Sequence, residues 1–160
     1  MKKTFRTTAF ILIILMIALM AYLQFNPPLA HGSVGTTTDK QSVIVALGNK
    51  NLLGDIYITD VSINGKEPAT NPLVQVSDSD TGFVISNTYN PYEGEYGMQD
   101  YKSIRLKPNS SPVPEDKKAS AKDDHPSPIY GLSITEKMPI EQIEVSYRYL
   151  GLTFVTTINI

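Results

Sequence analysis

The chain reads as an all-β domain carried on one N-terminal transmembrane helix. Three observations predict this. An unbroken apolar run follows a basic start, short β-rich runs cut by turn residues fill most of the remainder, and apolar and polar side chains alternate strictly near the end.

The N-terminal segment comes first. Lys2, Lys3 and Arg6 precede Thr7 and Thr8, and from Ala9 the side chains stay apolar until Gln24, with Phe25 closing the run before Asn26-Pro27-Pro28. As a helix, residues 7–25 span roughly 28 Å at about 1.5 Å per residue, close to the hydrocarbon thickness of a bilayer. Lipid offers no partners to backbone polar groups, so helix is the form expected there. Positive charge resists translocation, which predicts a cytoplasmic tail at 1–6, a transmembrane helix or signal-anchor at 7–25, and an extracytoplasmic remainder. The expected partner of residues 7–25 is the lipid bilayer itself. A cleaved signal peptide, giving a secreted protein, is the alternative. It needs small residues at the cleavage site, and the candidate Pro28-Leu29-Ala30 puts proline where a small residue belongs, so the uncleaved anchor is preferred.

Residues 26–41 are rich in Gly, Ser and Thr and read as a flexible tether. The β-domain is expected to occupy 42–160, a length suited to one core. Runs at 42–47 (SVIVAL) and 56–63 (IYITDVSI) are separated by the turn residues Gly48-Asn49-Lys50-Asn51. The second run carries apolar side chains in both phases, Ile56 and Ile58 in one, Val61 and Ile63 in the other. Asn64-Gly65 then signals a hairpin with an unspecified partner. Residues 73–77 (LVQVS), 82–88 (GFVISNT) and 103–107 (SIRLK) are three further expected strands. Between Pro108 and Pro128 stand five of the 11 prolines and many charges, which reads as a long exposed loop.

Residues 129–135 (IYGLSIT) are the next strand. Ile143, Val145, Tyr147 and Tyr149 alternate with Glu144, Ser146 and Arg148, the mark of a strand with one face in water. Leu150-Gly151 turns the chain into a last strand presenting Leu152, Phe154, Thr156 and Ile158 in one phase. About seven or eight strands in a domain of this size correspond to an immunoglobulin-like β-sandwich by architecture.

Composition excludes several functions. Lys2, Lys3 and Arg6 take their share of the 14 basic residues, so the exported part is net acidic against 16 Asp and Glu; no nucleic-acid partner is expected. Cysteine is absent, which removes disulfides, thiolate chemistry and cysteine-bound zinc. The only two histidines, His31 and His125, lie in the tether and the proline-rich loop, too few for a zinc site or a catalytic triad. Asp78-Ser79-Asp80-Thr81-Gly82 starts like a calcium loop, but Phe83 and Tyr89 occupy the places that need glycine and a bidentate acid, so a hairpin turn is the reading. Ser133 lacks the second glycine of a nucleophile elbow. No catalytic residue, metal site or cofactor is therefore expected.

One segment offers a recognition surface. Tyr89, Tyr92, Tyr96 and Tyr101 are interleaved with Glu93, Glu95 and Asp100, and exposed tyrosines supply contact area at low entropic cost. The competing reading is that some of these rings close the core. The expectation is a membrane-anchored protein of the bacterial cell envelope that is not an enzyme and acts in binding or assembly with an envelope protein or polymer. An enzyme acting on envelope polymers through the acids of the Tyr/Glu loop is the alternative.

Overall fold

The computed structural model describes residues 2–65, 67–78, 81–85, 97–110, 112 and 128–160, with side chains described from residue 7 onward. Helix α1 runs Lys2–Phe25. Over Thr7–Phe25 it is apolar enough to span a membrane or to serve as a signal sequence. Among the described residues ten strands follow: β1 Leu29–Thr36, β2 Ser42–Asn49, β3 Ile56–Ile63, β4 Glu67–Pro68, β5 Leu73–Ser77, β6 Met98–Asp100, β7 Arg105–Leu106, β8 Ile129–Thr135, β9 Gln142–Tyr149 and β10 Leu152–Asn159. All pair antiparallel, in two sheets. The first has the order β1-β2-β8-β5-β6; the second has β10-β9-β3-β4, with β7 also on β3.

One apolar cluster draws on both sheets. Val43, Val45, Leu47, Val74, Tyr130, Leu132 and Ile134 come from the first sheet, and Ile56, Ile58, Val61, Ile63, Ile143, Val145, Tyr147, Tyr149 and Ile158 from the second. At about 25 cal/mol per Å² of apolar surface removed from water, this shared core is what holds a cysteine-free chain together.

The sequence expectation is met in the C-terminal third. Residues 129–135 are β8, and β9 buries Ile143, Val145, Tyr147 and Tyr149 while Arg148 is exposed. Tyr149 and Leu152 pair across a two-residue turn in which Leu150 (φ 48°) and Gly151 (φ 80°) both take positive φ. The chain end is tied down: the Ile160 N–H donates to the Glu141 carbonyl at 2.9 Å, and the Lys40 Nζ donates to the Ile160 carbonyl at 3.3 Å.

Four departures have physical reasons. Residues 29–36 of the expected tether are strand β1, because its backbone completes β2 from Leu29↔Asn49 to Thr36↔Val43 and needs no apolar alternation to do so. The two-phase pattern of 56–63 is resolved by a bulge between Ile58 and Asp60, which brings Ile56, Ile58, Val61 and Ile63 to the same buried face. Residues 48–49, expected as turn, continue β2, since Asn49 finds buried partners. Residues 82–85 of the expected strand at 82–88 make no ladder and cross the outer face of the first sheet, and residues 86–88 lie outside the described residues.

That crossing explains the run of buried residues in β2. Val43, Val45 and Leu47 face the shared core, while Ile44 and Ala46 face the other way and are buried too. Gln75 clasps the covering segment: its Nε2 donates to the Val84 carbonyl at 2.6 Å and its Oε1 accepts from the Val84 N–H at 3.0 Å. Phe83 lies over Gly131, where a Cβ would fall 2.8 Å from the ring. Pro112 covers Gly32 and Gly48 in the same manner.

The helix end belongs to this packing. Leu23 is 2% exposed and Leu29 3%, both within the shared core. Between them Pro27 and Pro28 end the helix, since proline lacks the donor and restricts its predecessor.

Candidate functional site

Of the sequence-predicted surface, Tyr89, Tyr92, Glu93, Glu95 and Tyr96 lie outside the described residues. Tyr101 is described, and it is half-buried and packed against the shared core. The Lys102 ammonium stands 5.4 Å from its ring centroid, and Asp100 shapes the turn by accepting the Lys102 N–H on its carboxylate at 2.8 Å. Asp78 caps its own turn, its carboxylate accepting the Thr81 N–H at 2.8 Å and its carbonyl the Gly82 N–H at 3.0 Å. Ser133 is buried in β8, with Gln75 Nε2 at 3.5 Å. His31 is exposed on β1, and most of 108–128, His125 included, lies outside the described residues.

The strongest geometric candidate is an edge. β10 pairs with β9 along its whole length, from Leu152↔Tyr149 to Asn159↔Gln142, without a bulge, and no described strand pairs with its other side. Its sequence, LTFVTTIN, holds no charge and no proline. Natural edge strands are normally blunted by charge, proline, bulges or short length, because a free row of N–H and C=O groups templates pairing with another chain. The opposite end of this sheet is blunted in that way, since β4 has two residues, one of them Pro68. Along β10 the side chains at 153, 155, 157 and 159 are exposed, while Leu152, Phe154 and Thr156 are half-covered.

Comparison with protein-family models, curated proteins and solved structures finds no match to this chain.

Beneath the edge lies an aromatic pair. Phe154 stands opposite Tyr147 in register, ring centroids 5.5 Å apart and planes 19° from parallel. Tyr147 is fully buried, and among the described residues its hydroxyl has no hydrogen-bond partner. Burial pushes its phenol up from the ordinary 10.0. The nearby Thr156 side chain and Leu29 backbone pull weakly the other way without reaching hydrogen-bond geometry. Burial likewise raises Tyr130, opposed by the Lys107 N–H that donates to its hydroxyl at 3.4 Å. Asp39 is held below its ordinary value by the Thr37 hydroxyl at 2.6 Å and then by the Gln41 N–H.

Sequence reasoning identified β10 as the last strand but not as an edge, since strand order leaves no local trace. The one legible signal was its lack of charge and proline.

Proposed function

We propose that the chain is a single-pass membrane-anchored protein whose extracytoplasmic domain, an immunoglobulin-like sandwich by architecture, acts in binding or assembly at the cell envelope. Partners add a strand to β10. The observation that carries this reading is the eight-residue, unbulged, uncharged edge. Main-chain hydrogen bonds along such an edge supply affinity, and the alternating side chains supply selectivity. The reading as an anchor rather than a cleaved signal is supported by Leu23 and Leu29: cleavage after Ala30 would strip both from the core.

The test is a photo-crosslinking residue at Val155 in the full chain, expressed in cells. Adducts at 155 that exceed those at the remote site Met138, and that Thr157→Lys abolishes without lowering the melting temperature, are expected. No excess at 155 would overturn the edge. A C-terminal tag on intact cells should be open to added protease; a tag protected until lysis contradicts the orientation.

A further inference from the structure

We infer that the end of the β-domain nearest α1 seats directly on the lipid bilayer, with Leu52, Leu53 and Leu150 entering the acyl-chain boundary and Arg105 and Arg148 reaching lipid phosphates. This rests on the anchor reading above.

Three residues separate the end of α1 at Phe25 from the start of β1 at Leu29, a reach of at most about 14 Å. Everything beside Leu29 is therefore held at the height of the headgroups. The Lys50 N–H donates to the Pro28 carbonyl at 3.1 Å, which pins the turn at 50–54 next to the helix exit. Its tip is Leu52-Leu53, 76% and 75% exposed. The Tyr149 hydroxyl donates to the Leu53 carbonyl, and a Cβ at Gly54 would fall 2.9 Å from Leu150 Cδ2, so the hairpin turn of β9 and β10 stands against this one. Leu150 is 57% exposed, and Phe25, at the helix end, 84%.

Turn tips favour Gly, Asn, Asp and Ser, and a position at φ 48° favours Asn or Gly over leucine. Apart from the contact of Leu150 with Gly54, nothing among the described residues rewards a leucine there. Lipid does: each leucine moved from water to an apolar phase is worth on the order of 2 kcal/mol.

The charges are arranged to match. Arg105, Tyr57 and Arg148 stand directly opposite one another on β7, β3 and β9, all exposed, with the Arg105 guanidinium 5.3 Å from the Tyr57 ring centroid. Lys50 and Lys107 lie at the same end, and Asp55 there is already paired with Lys107 at 3.3 Å. The exposed acid Asp60 and the half-exposed Glu144 sit farther along β3 and β9, away from α1. Apolar tips beneath a collar of arginine and tyrosine suit a membrane interface, where aromatic rings and long cationic side chains keep their polar ends in the headgroup layer.

The chain has no tryptophan, so Leu53→Trp gives the full-length protein a single tryptophan, excited at the red edge where its 9 tyrosines do not absorb. It is reconstituted in vesicles of phosphatidylcholine and phosphatidylglycerol carrying bromine near the glycerol end of the acyl chains. Leu53→Trp is expected to be blue-shifted and quenched by the brominated lipid, and Met138→Trp, at the far end, to be neither. Arg105→Gln with Arg148→Gln should reduce the quenching in these vesicles. Unquenched Leu53→Trp in protein that still floats with the vesicles overturns the inference while leaving the anchor standing. Blue shift without quenching overturns it in favour of a second copy covering the leucines. Quenching insensitive to both arginine changes removes the phosphate contacts. Protein that fails to float overturns the anchor, and this inference with it.

Discussion

The two sheets share one core but treat their outer faces differently. The first sheet is roofed, with residues 81–85 and Pro112 lying across β8, β2 and β1, so Ile44, Ala46 and Gln75 are buried as fully as the core residues behind them. The second sheet is open, and Tyr57, Asp60 and Arg148 meet water. A roofed sheet spends its outer face on internal stability. An open one keeps that face, and its edge, available to other molecules.

Substitutions can break this contrast. The largest effect is expected from Gln75→Leu, which keeps the bulk but leaves the Val84 N–H and C=O without the side chain that satisfies them. A loss of about 2–3 kcal/mol in urea unfolding of the full chain is expected, with faster proteolysis within 81–85. Next comes Gly131→Ala, whose Cβ would press on Phe83 and Ile44; roughly 1–3 kcal/mol follows from overpacking, measured the same way.

Tyr147→Phe removes a buried hydroxyl that has no described partner, so it should leave stability unchanged or raise it by up to about 1 kcal/mol. It should also blunt the alkaline loss of stability. The phenols of Tyr147 and Tyr130 are raised above 10.0, so the stability they carry is fully present below pH 10.0 and declines as pH rises through the folded values. Melting temperature against pH, for the parent and for Tyr147→Phe, checks this sign. The smallest effect belongs to the open face. Thr59→Ala should stay within about 0.5 kcal/mol, and a larger loss would mean that this face is covered after all.

The same contrast governs what could be read in the residues beforehand. On the open sheet, one wet face writes its pattern into the sequence, and β9 and β10 follow from Ile143, Val145, Tyr147 and Tyr149 alternating with polar neighbours. The bulge in β3 hid the common face of Ile56 and Val61, because the extra residue inverts the phase midway. On the roofed sheet both faces are apolar, so SVIVAL identifies a strand without saying which side faces the core. GFVISNT looked like a strand because a segment that roofs a sheet needs the same apolar residues as one that joins it. β1 was invisible for the opposite reason: an edge strand rich in Gly and Ser is held by its backbone, and composition carries no record of backbone pairing. Of the tyrosine-rich surface only Tyr101 is among the described residues, partly buried and packed against the core.

Leu23 gives the fold a further property. A residue of α1 is buried among those of the β-domain, which ties the helix end to the domain; with α1 in a bilayer, that tie would hold β10 at a set height in every copy. On the proposed reading, encounters at this edge would become a search in a plane, and a main-chain contact too weak to persist between free molecules would gain from effective concentration what it lacks in area.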